Sequence, residues 1–270
     1  MRIVFIGGGN MAGALIGGML QQGFAAKDLT VVDVSEEARS GLSSRHGVHA
    51  VAHADAVQGD ADVVLLAVKP QQMSAVCKAV AGKFRRALTI SIAAGIRTTD
   101  LRRWLDGRER LVRAMPNTPA LLRAGISGAY AASGASAQDR RDAERILGAV
   151  GSVVWFDSEA ALDAVTAVSG SGPAYVFYFI ESLEEAARSL GMDAVPARTL
   201  ALHTFLGAAR LAAESGEPPA ALRAKVTSKG GTTERALASL EAADVRGQIV
   251  AAVRAAAERA RELGEEFGKT

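Results

Sequence analysis

Short apolar runs alternate with amphipathic segments over the first 157 residues of the chain. The runs are rich in valine and isoleucine, and the segments between them carry apolar residues at helical spacing and little proline. This alternation is typical of βαβ units around a parallel sheet. The predicted strands are Ile3–Ile6, Leu29–Val34, Val63–Val68, Leu88–Ile92, Leu111–Ala114 and Val153–Phe156, and the predicted helices are Met11–Gln22, Glu36–His46, Gln71–Phe84 and Ala137–Ala149. Residues 1–157 are therefore predicted to form an α/β domain with an open, doubly wound parallel sheet.

The pattern changes after Asp157. Residues 158–270 are rich in alanine and leucine, carry charges at helical intervals and show no strand pattern. They predict an all-helical second domain, with helices near 158–169, 173–190, 196–214, 219–226, 232–241 and 244–264. The segment from Tyr175 to Ile180 has apolar residues on more than one face, which indicates burial on both sides and a helical pair of subunits.

The first chemical signal is the segment Gly7-Gly8-Gly9-Asn10-Met11-Ala12, which fits G-x-G-x-x-A directly after a predicted strand and at the start of a predicted helix. In this motif Gly7 permits a tight turn, Gly9 lets the backbone approach a pyrophosphate, and Ala12 allows close packing of helix on strand. The free N–H groups of the helix N-terminus favour an anion there. The segment predicts a dinucleotide site.

Asp33 ends the second apolar run, where an acidic side chain accepts hydrogen bonds from the adenosine ribose and repels a 2′-phosphate. The alternative is that Asp33 or Ser35 caps the helix that follows. Both roles are compatible with one another.

Three more predicted strands end in segments that should face the ligand crevice, because ligands bind beyond the carboxyl ends of such strands. Lys69 follows one strand and is interpreted as a lysine near the cofactor whose backbone lines the wall. The small residues of Ser91–Gly95 would let a flat nicotinamide ring lie close. The two prolines of Arg113–Pro119 would stiffen a loop over the crevice.

Two segments of the helical half combine glycine with hydroxyl residues. Ser169–Tyr175 predicts a helix break and restart; it is not a nucleophile elbow, because it lacks the leading glycine and follows no strand. In Val226–Glu234, two glycines precede a pair of threonines at a helix start, which would let N–H groups and hydroxyls bind one carboxylate. The alternative for this second segment is a threonine capping box.

Composition argues against several classes of binding partner and cellular location. The chain carries 31 basic and 29 acidic side chains, a net charge of +2, which does not favour nucleic acid or an anionic membrane. A single cysteine, Cys77, excludes an internal disulfide and fits the cytoplasm. No secretory signal or membrane span is expected. The four histidines, His46, His49, His53 and His203, lack metal-ligand spacing, so no metal is expected.

In this order, the motifs resemble those of the pyrroline-5-carboxylate reductase family, whose members reduce a cyclic imine to proline, the last step of proline biosynthesis. The resemblance covers nearly the whole chain and rests on Phe5–Ala12, Ala67–Gln71, Ala93–Gly95, Met115–Pro119, Ser169–Tyr175 and Gly230–Thr233. It implies a Rossmann domain followed by a helical domain that forms a homodimer, and rings of dimers are common in the family.

The resemblance also implies the site residues. Those expected along the dinucleotide are Gly7, Gly8, Gly9, Asn10, Met11, Ala67, Val68, Lys69, Pro70, Ala93, Ala94 and Gly95, and those expected to hold the substrate carboxylate and ring nitrogen are Gly230, Gly231, Thr232 and Thr233. Two positions depart from the family pattern. Lys229 replaces a proline beside the carboxylate site, and His53 stands where an asparagine would contact the ribose.

The implied reaction is hydride transfer from NADPH or NADH to a protonated imine, which requires placement rather than a strong base. Thr233 is the expected hydroxyl at the ring nitrogen. Asp33 favours NADH, whereas many relatives use NADPH; no arginine lies between Asp33 and Glu37, and we expect use of both. The turn that ends at Thr233 is expected to share one cleft with the glycine segment.

Two other functions stay open on the sequence. A hydroxyacid dehydrogenase of the 6-phosphogluconate type relies on a lysine early in the helical domain, and this chain has no lysine between Lys83 and Lys225. A non-catalytic dinucleotide-binding scaffold or sensor would use the Gly-Gly-Thr-Thr segment only as a helix cap.

Overall fold

The computed structural model describes residues 1–269, and an eight-stranded sheet organises their first 155 residues. Its strands are β1 (Ile3–Ile6), β2 (Leu29–Val32), β3 (His49–Val51), β4 (Val63–Leu66), β5 (Leu88–Ser91), β6 (Leu111–Met115), β7 (Gly125–Ala131) and β8 (Gly151–Trp155). The strand order is β3-β2-β1-β4-β5-β6-β7-β8. Strands β1 to β6 therefore have the order of a dinucleotide-binding fold, with the switch point between β1 and β4.

The sheet is mixed rather than wholly parallel. Strands β1 to β6 are parallel to their neighbours, but β7 runs antiparallel to β6, and β8 is parallel to β7. Only residues 116–124 connect β6 to β7, and a parallel crossover needs a longer connection. The apolar-run pattern predicted six strands correctly and missed the short β3 and the glycine-containing β7.

Helices cover both faces of the sheet. They are α1 (Asn10–Gln21), α2 (Glu36–His46), α3 (Met73–Val80), α4 (Thr98–Trp104), α5 (Ala137–Leu147) and α6 (Ala161–Val165). Alternate residues of β1 point to opposite faces, so Ile3 and Phe5 enter one buried cluster with residues of α1, α2 and α5, while Val4 and Ile6 enter another with residues of α3 and α4. Double burial explains why these strands are continuous apolar runs.

The described chain separates into two compact units. One contains Met1–Ser171 together with the end of the chain from Ala256, and the other contains Gly172–Ala255. The sheet ends at Trp155, and the first unit continues through α6 and the turn that follows it, where Leu162 and Ala167 are fully buried. The predicted domain boundary after residue 157 stays a prediction. A π-helical turn, Thr166–Gly170, follows α6 directly.

The remaining elements are helical, as predicted. They are α7 (Gly172–Ser189), α8 (Ala194–Ser215), α9 (Pro219–Lys225), α10 (Thr232–Ala242) and α11 (Val245–Gly268). Large apolar side chains of α7 are exposed in the single chain, including Phe177 at 59% and Tyr178 at 68%. Between residues 1 and 269, the helices lack the combination of length and apolar content that crossing a bilayer requires.

Candidate functional site

The glycine segment forms the predicted turn at the carboxyl end of β1. Gly7 has φ +103°, and a Cβ there would lie 2.7 Å from the carbonyl oxygen of Ala67. Only glycine fits both constraints. Its N–H donates to the carbonyl of Val32 at 2.8 Å, so the turn is bonded to β2 and pressed against the end of β4.

Helix α1 follows this turn, and its N-terminus has no side-chain cap in the described chain. Gly9 occupies the N-cap position, and no side chain among residues 1–269 donates or accepts a capping bond there. A Cβ on Gly9 would find no atom of the described chain within 4 Å. The first N–H groups of α1 therefore have no side-chain cap in the described chain, as an anion-binding helix start requires.

Asp33 follows β2 at the same edge and binds two backbone amides. Its Oδ2 accepts from the N–H of Gly8 at 2.7 Å, and its Oδ1 accepts from the N–H of Ser35 at 2.8 Å. The cap of α2 is Ser35, whose hydroxyl oxygen accepts from the N–H of Ala38 at 3.3 Å. Asp33 is thus not the cap. Its carboxylate is oriented toward the glycine turn, and each oxygen keeps a second lone pair that a ribose hydroxyl could use.

Arg39 is a neighbour of Asp33 that the sequence interpretation missed. It lies one turn into α2, and its Nη1 donates to the carbonyls of Asp33 and Val34 at 2.8 and 2.9 Å. Arg39 lies outside the segment from Asp33 to Glu37, but a long side chain in the first turns of a helix can reach back to the preceding loop. A cation therefore lies beside the turn that carries Asp33.

The ends of β4 and β5 share the edge with the glycine turn, because β1, β4 and β5 are adjacent and parallel. This places Ala67–Pro70 beside Gly7–Met11, and Ala93–Gly95 beside Ala67–Pro70. The Lys69 side chain is exposed, while its carbonyl accepts from the N–H of Gln72 at 2.9 Å to start a short helical turn at Pro70. The structure thus brings all the predicted dinucleotide residues to one edge of one unit.

The buried charges near this edge are paired within the fold. Arg113, 3% exposed, contacts Glu159 at 3.3 Å, and Glu159 accepts from both the N–H and the hydroxyl of Thr98.

Burial raises the pKa of the Cys77 thiol to about 12, so the thiol stays protonated. In the described part of the chain, no group of three or more His, Cys, Asp or Glu side chains could hold a metal ion.

The Gly-Gly-Thr-Thr segment forms a tight turn at the start of α10. Gly230 has φ +71°, and Gly231 is the N-cap, with its N–H donating to the carbonyl of Ser228 at 3.1 Å. Glu234 accepts from the N–H of Gly230 at 2.7 Å. Within residues 1–269 no side chain caps this helix, so the threonine capping box is wrong.

The hydroxyl residues of this turn differ in exposure. Thr232 is exposed and Thr233 is half-buried, and the exposed Lys229 lies within the turn. The two hydrogen bonds at Gly230 and Gly231 hold the turn closed without the proline that Lys229 replaces. The predicted roles of the threonines, and the shared cleft with the glycine segment, stay predictions.

Asn117 connects the loop after β6 to Ser169, a contact that the sequence interpretation did not foresee. Its Nδ2 donates to the carbonyl of Ser169 at 3.1 Å, and its Oδ1 accepts from the N–H of Ile126 at 2.9 Å. The residue four positions after Ser169 is Pro173, which has no N–H to offer that carbonyl. The Asn117 amide therefore replaces a missing helical bond, and the missing N–H was the signal available in the sequence.

Comparisons with known proteins agree with this geometry. A family model described as pyrroline-5-carboxylate reductase dimerisation matches residues 159–263, and one described as NADP oxidoreductase, coenzyme F420-dependent, matches residues 2–95. The chain is 46% identical to a pyrroline-5-carboxylate reductase of Pseudomonas aeruginosa, over 99% of this chain and 98% of the relative, and 36% identical to one of Arabidopsis thaliana, over 98% and 96%.

Solved structures give the same result. A pyrroline-5-carboxylate reductase from Coxiella burnetii matches with a TM-score of 0.90 and 40% identity, over 97% of this chain and 98% of that one. A pyrroline carboxylate reductase from Plasmodium falciparum with NADP bound matches with a TM-score of 0.86 and 27% identity, over 98% of both chains.

Proposed function

The chain belongs to the pyrroline-5-carboxylate reductase family. We propose that one of its two glycine-rich segments binds the cofactor of that reaction and the other binds the substrate. The chain is an oxidoreductase that reduces 1-pyrroline-5-carboxylate to proline with NAD(P)H. This membership replaces the two alternatives that the sequence left open, a hydroxyacid dehydrogenase and a non-catalytic scaffold. The observation that supports the assignment of the cofactor is the uncapped start of α1 after Gly7–Gly9.

The edge of the first unit fits a dinucleotide. Gly7–Met11 would hold the pyrophosphate, because the N–H groups of the first turn of α1 have no side-chain cap and could donate to it. Asp33 would accept from the adenosine ribose. Ala67–Pro70 and Ala93–Gly95 would line the nicotinamide half, since β4 and β5 lie across the switch point from β2. When bound, the reduced nicotinamide supplies the hydride.

The turn at α10 is proposed as the site of the imino acid. The N–H groups of the first turn of α10, which no side chain of the described residues caps, suit a carboxylate at a helix start together with the hydroxyl of Thr232. Lys229 adds a cation to the same turn. The Thr233 hydroxyl would hold or deliver the proton at the ring nitrogen, so that the nitrogen is protonated while the adjacent carbon accepts hydride. The carboxylate contacts would orient the ring and reduce the entropic barrier.

We propose that the enzyme uses both NADH and NADPH. Asp33 disfavours a 2′-phosphate by like charge, whereas the guanidinium of Arg39, bound to the carbonyls of the same turn, favours one. Opposing charges at one turn support the use of both NADH and NADPH.

The assembly is proposed as a homodimer through the helical region, with rings of dimers as the larger state. The match of residues 159–263 to the dimerisation model and the exposed apolar side chains of α7 support the dimer. The single, buried cysteine fits a reducing compartment, and we propose the cytoplasm.

The direct experiment is an assay with the purified chain. NADH or NADPH is mixed with 1-pyrroline-5-carboxylate, and absorbance at the reduced-nicotinamide band is followed while proline is quantified. One proline should form for each reduced cofactor consumed. Cofactor binding without any proline formation would return the scaffold alternative.

A further inference from the structure

The last turns of α11 lie against the loop that follows β5. A Cβ on Gly95 would lie 3.3 Å from the backbone nitrogen of Gly264 and 3.4 Å from the ring of Phe267. In the other direction, a Cβ on Gly264 would lie 3.0 Å from the carbonyl oxygen of Gly95 and 3.2 Å from Nε of Arg97. Loop and helix therefore touch backbone to backbone through two glycines.

The end of α11 is anchored on the sheet side. Phe267 packs against the buried cluster that contains Ile96 and Leu101. Arg103 donates from Nη2 to the carbonyl of Gly268 at 2.5 Å. Since the helix end is held at these points, an extra atom at position 264 should displace the loop rather than the helix.

The loop concerned is Ala93–Gly95, at the carboxyl end of β5. In the strand order β3-β2-β1-β4-β5, this loop lies on the side of the switch point opposite to Asp33. Asp33 is on the adenosine side, so the loop belongs to the nicotinamide side. Its position decides where a flat ring can rest.

We propose that Gly264 is a positioning residue for the nicotinamide half of the cofactor site. By lacking a side chain it lets α11 support the Ala93–Gly95 loop from behind, at the one separation that leaves room for the ring. The inference rests on the proposed function, because it takes this loop as part of the dinucleotide site. It gives the end of α11 a role in catalysis that is separate from helix packing in the second unit.

The size of the effect follows from the contact. At 3.0 Å, the added carbon of Gly264→Ala would force the Gly95 carbonyl back by a few tenths of an ångström. Because a crowded contact is energetically costly when its neighbours must shift, this displacement at the site of the ring should weaken NADPH binding by roughly three- to tenfold. The same substitution raises intrinsic helix propensity, which offsets the cost of the crowded contact, so the melting temperature should stay close to that of wild type.

The test compares full-length wild type, Gly264→Ala and a matched control, Glu265→Ala. Glu265 lies on the same turn and is exposed; its substitution breaks an ion pair with Arg261 and adds no atom near Gly95. Calorimetric titration uses two probes, NADPH and 2′-phospho-ADP-ribose, which lacks the nicotinamide ring. Scanning calorimetry gives the melting temperature of each variant.

The proposal predicts that Gly264→Ala weakens NADPH binding roughly three- to tenfold, leaves the binding of 2′-phospho-ADP-ribose within about twofold of wild type, and keeps the melting temperature close to that of wild type. Glu265→Ala should bind both probes like wild type. NADPH binding within twofold of wild type in Gly264→Ala overturns the proposal, as does equal weakening of both probes. If wild type binds neither these probes nor NADH, the proposed function itself fails and this inference fails with it.

Discussion

Two glycines in the same turn should respond to alanine in opposite ways. Gly7 combines φ +103° with a Cβ position 2.7 Å from a backbone carbonyl oxygen, whereas Gly9 has φ −73° and open space around its Cβ position. In Gly7→Ala, the left-handed conformation costs about 1–2 kcal/mol. The shift needed to avoid the clash between the new Cβ and the carbonyl of Ala67 costs roughly 1–3 kcal/mol more. We expect the free energy of unfolding to fall by about 2–5 kcal/mol.

Gly9→Ala should spare the fold and damage binding. An alanine at an N-cap costs no more than about 1 kcal/mol relative to glycine. Its Cβ would instead occupy the space through which the pyrophosphate approaches the backbone. We expect NADPH to bind at least about tenfold more weakly, equivalent to 1.4 kcal/mol.

The assay pairs urea unfolding with NADPH titration for both variants. Gly7→Ala should shift the unfolding midpoint without a change in slope. Gly9→Ala should leave the midpoint nearly unchanged while binding falls. A Gly9→Ala protein that binds NADPH as tightly as wild type would refute the assignment of the open start of α1 to the pyrophosphate.

Three further variants test other parts of the account. Thr233→Ala should lower kcat/KM roughly ten- to a hundredfold by removal of one hydroxyl contact worth about 1.5–3 kcal/mol, and Thr233→Ser should recover most of it; an unchanged kcat/KM in Thr233→Ala makes the role wrong. Asp33→Ser should raise the NADPH-to-NADH ratio of kcat/KM about tenfold, and a ratio equal to that of wild type would show that Asp33 does not discriminate. Asp139→Asn should destabilise the chain by about 2 kcal/mol at pH 7. Burial alone would raise the pKa of Asp139, but hydrogen bonds from Arg110 and Ser136 hold it below the ordinary value of 3.8. The stability contributed by this lowered pKa is present above pH 3.8 and lost as pH falls through the folded-state pKa, so the difference between the two proteins in urea unfolding should shrink below that pH; a constant difference would contradict it.

The sequence predicted those elements whose stability depends on burial along a continuous run. β1 is buried on both faces and reads as four apolar residues, so its pattern is unmistakable. β3 has three residues, none of them fully buried, and the glycines and serine of β7 weaken its strand pattern. The antiparallel direction of β7 could not be predicted from its hydrophobic pattern, because strand direction depends on the length of the connection rather than on the residues of the strand.

The candidate site was predictable where the backbone conformation selects the residue. Gly7 and Gly230 occupy conformations with positive φ, and the sequence marks both with glycine. The choice of Ser35 over Asp33 as the cap of α2 required three-dimensional information, since either oxygen could have accepted the bond. The contacts of Arg39 and Asn117 are set by side-chain reach and by the folded positions of carbonyl groups.

We expect this chain to transfer hydride directly from a reduced nicotinamide to the imine carbon of an imino acid. The most direct measurement uses NADPH carrying deuterium in the transferred position of nicotinamide C4, with 1-pyrroline-5-carboxylate and the purified chain. Mass spectrometry and NMR should find one deuterium per proline, on the ring carbon next to nitrogen and remote from the carboxylate. Proline without that deuterium, or oxidation of the cofactor without proline, would contradict the account.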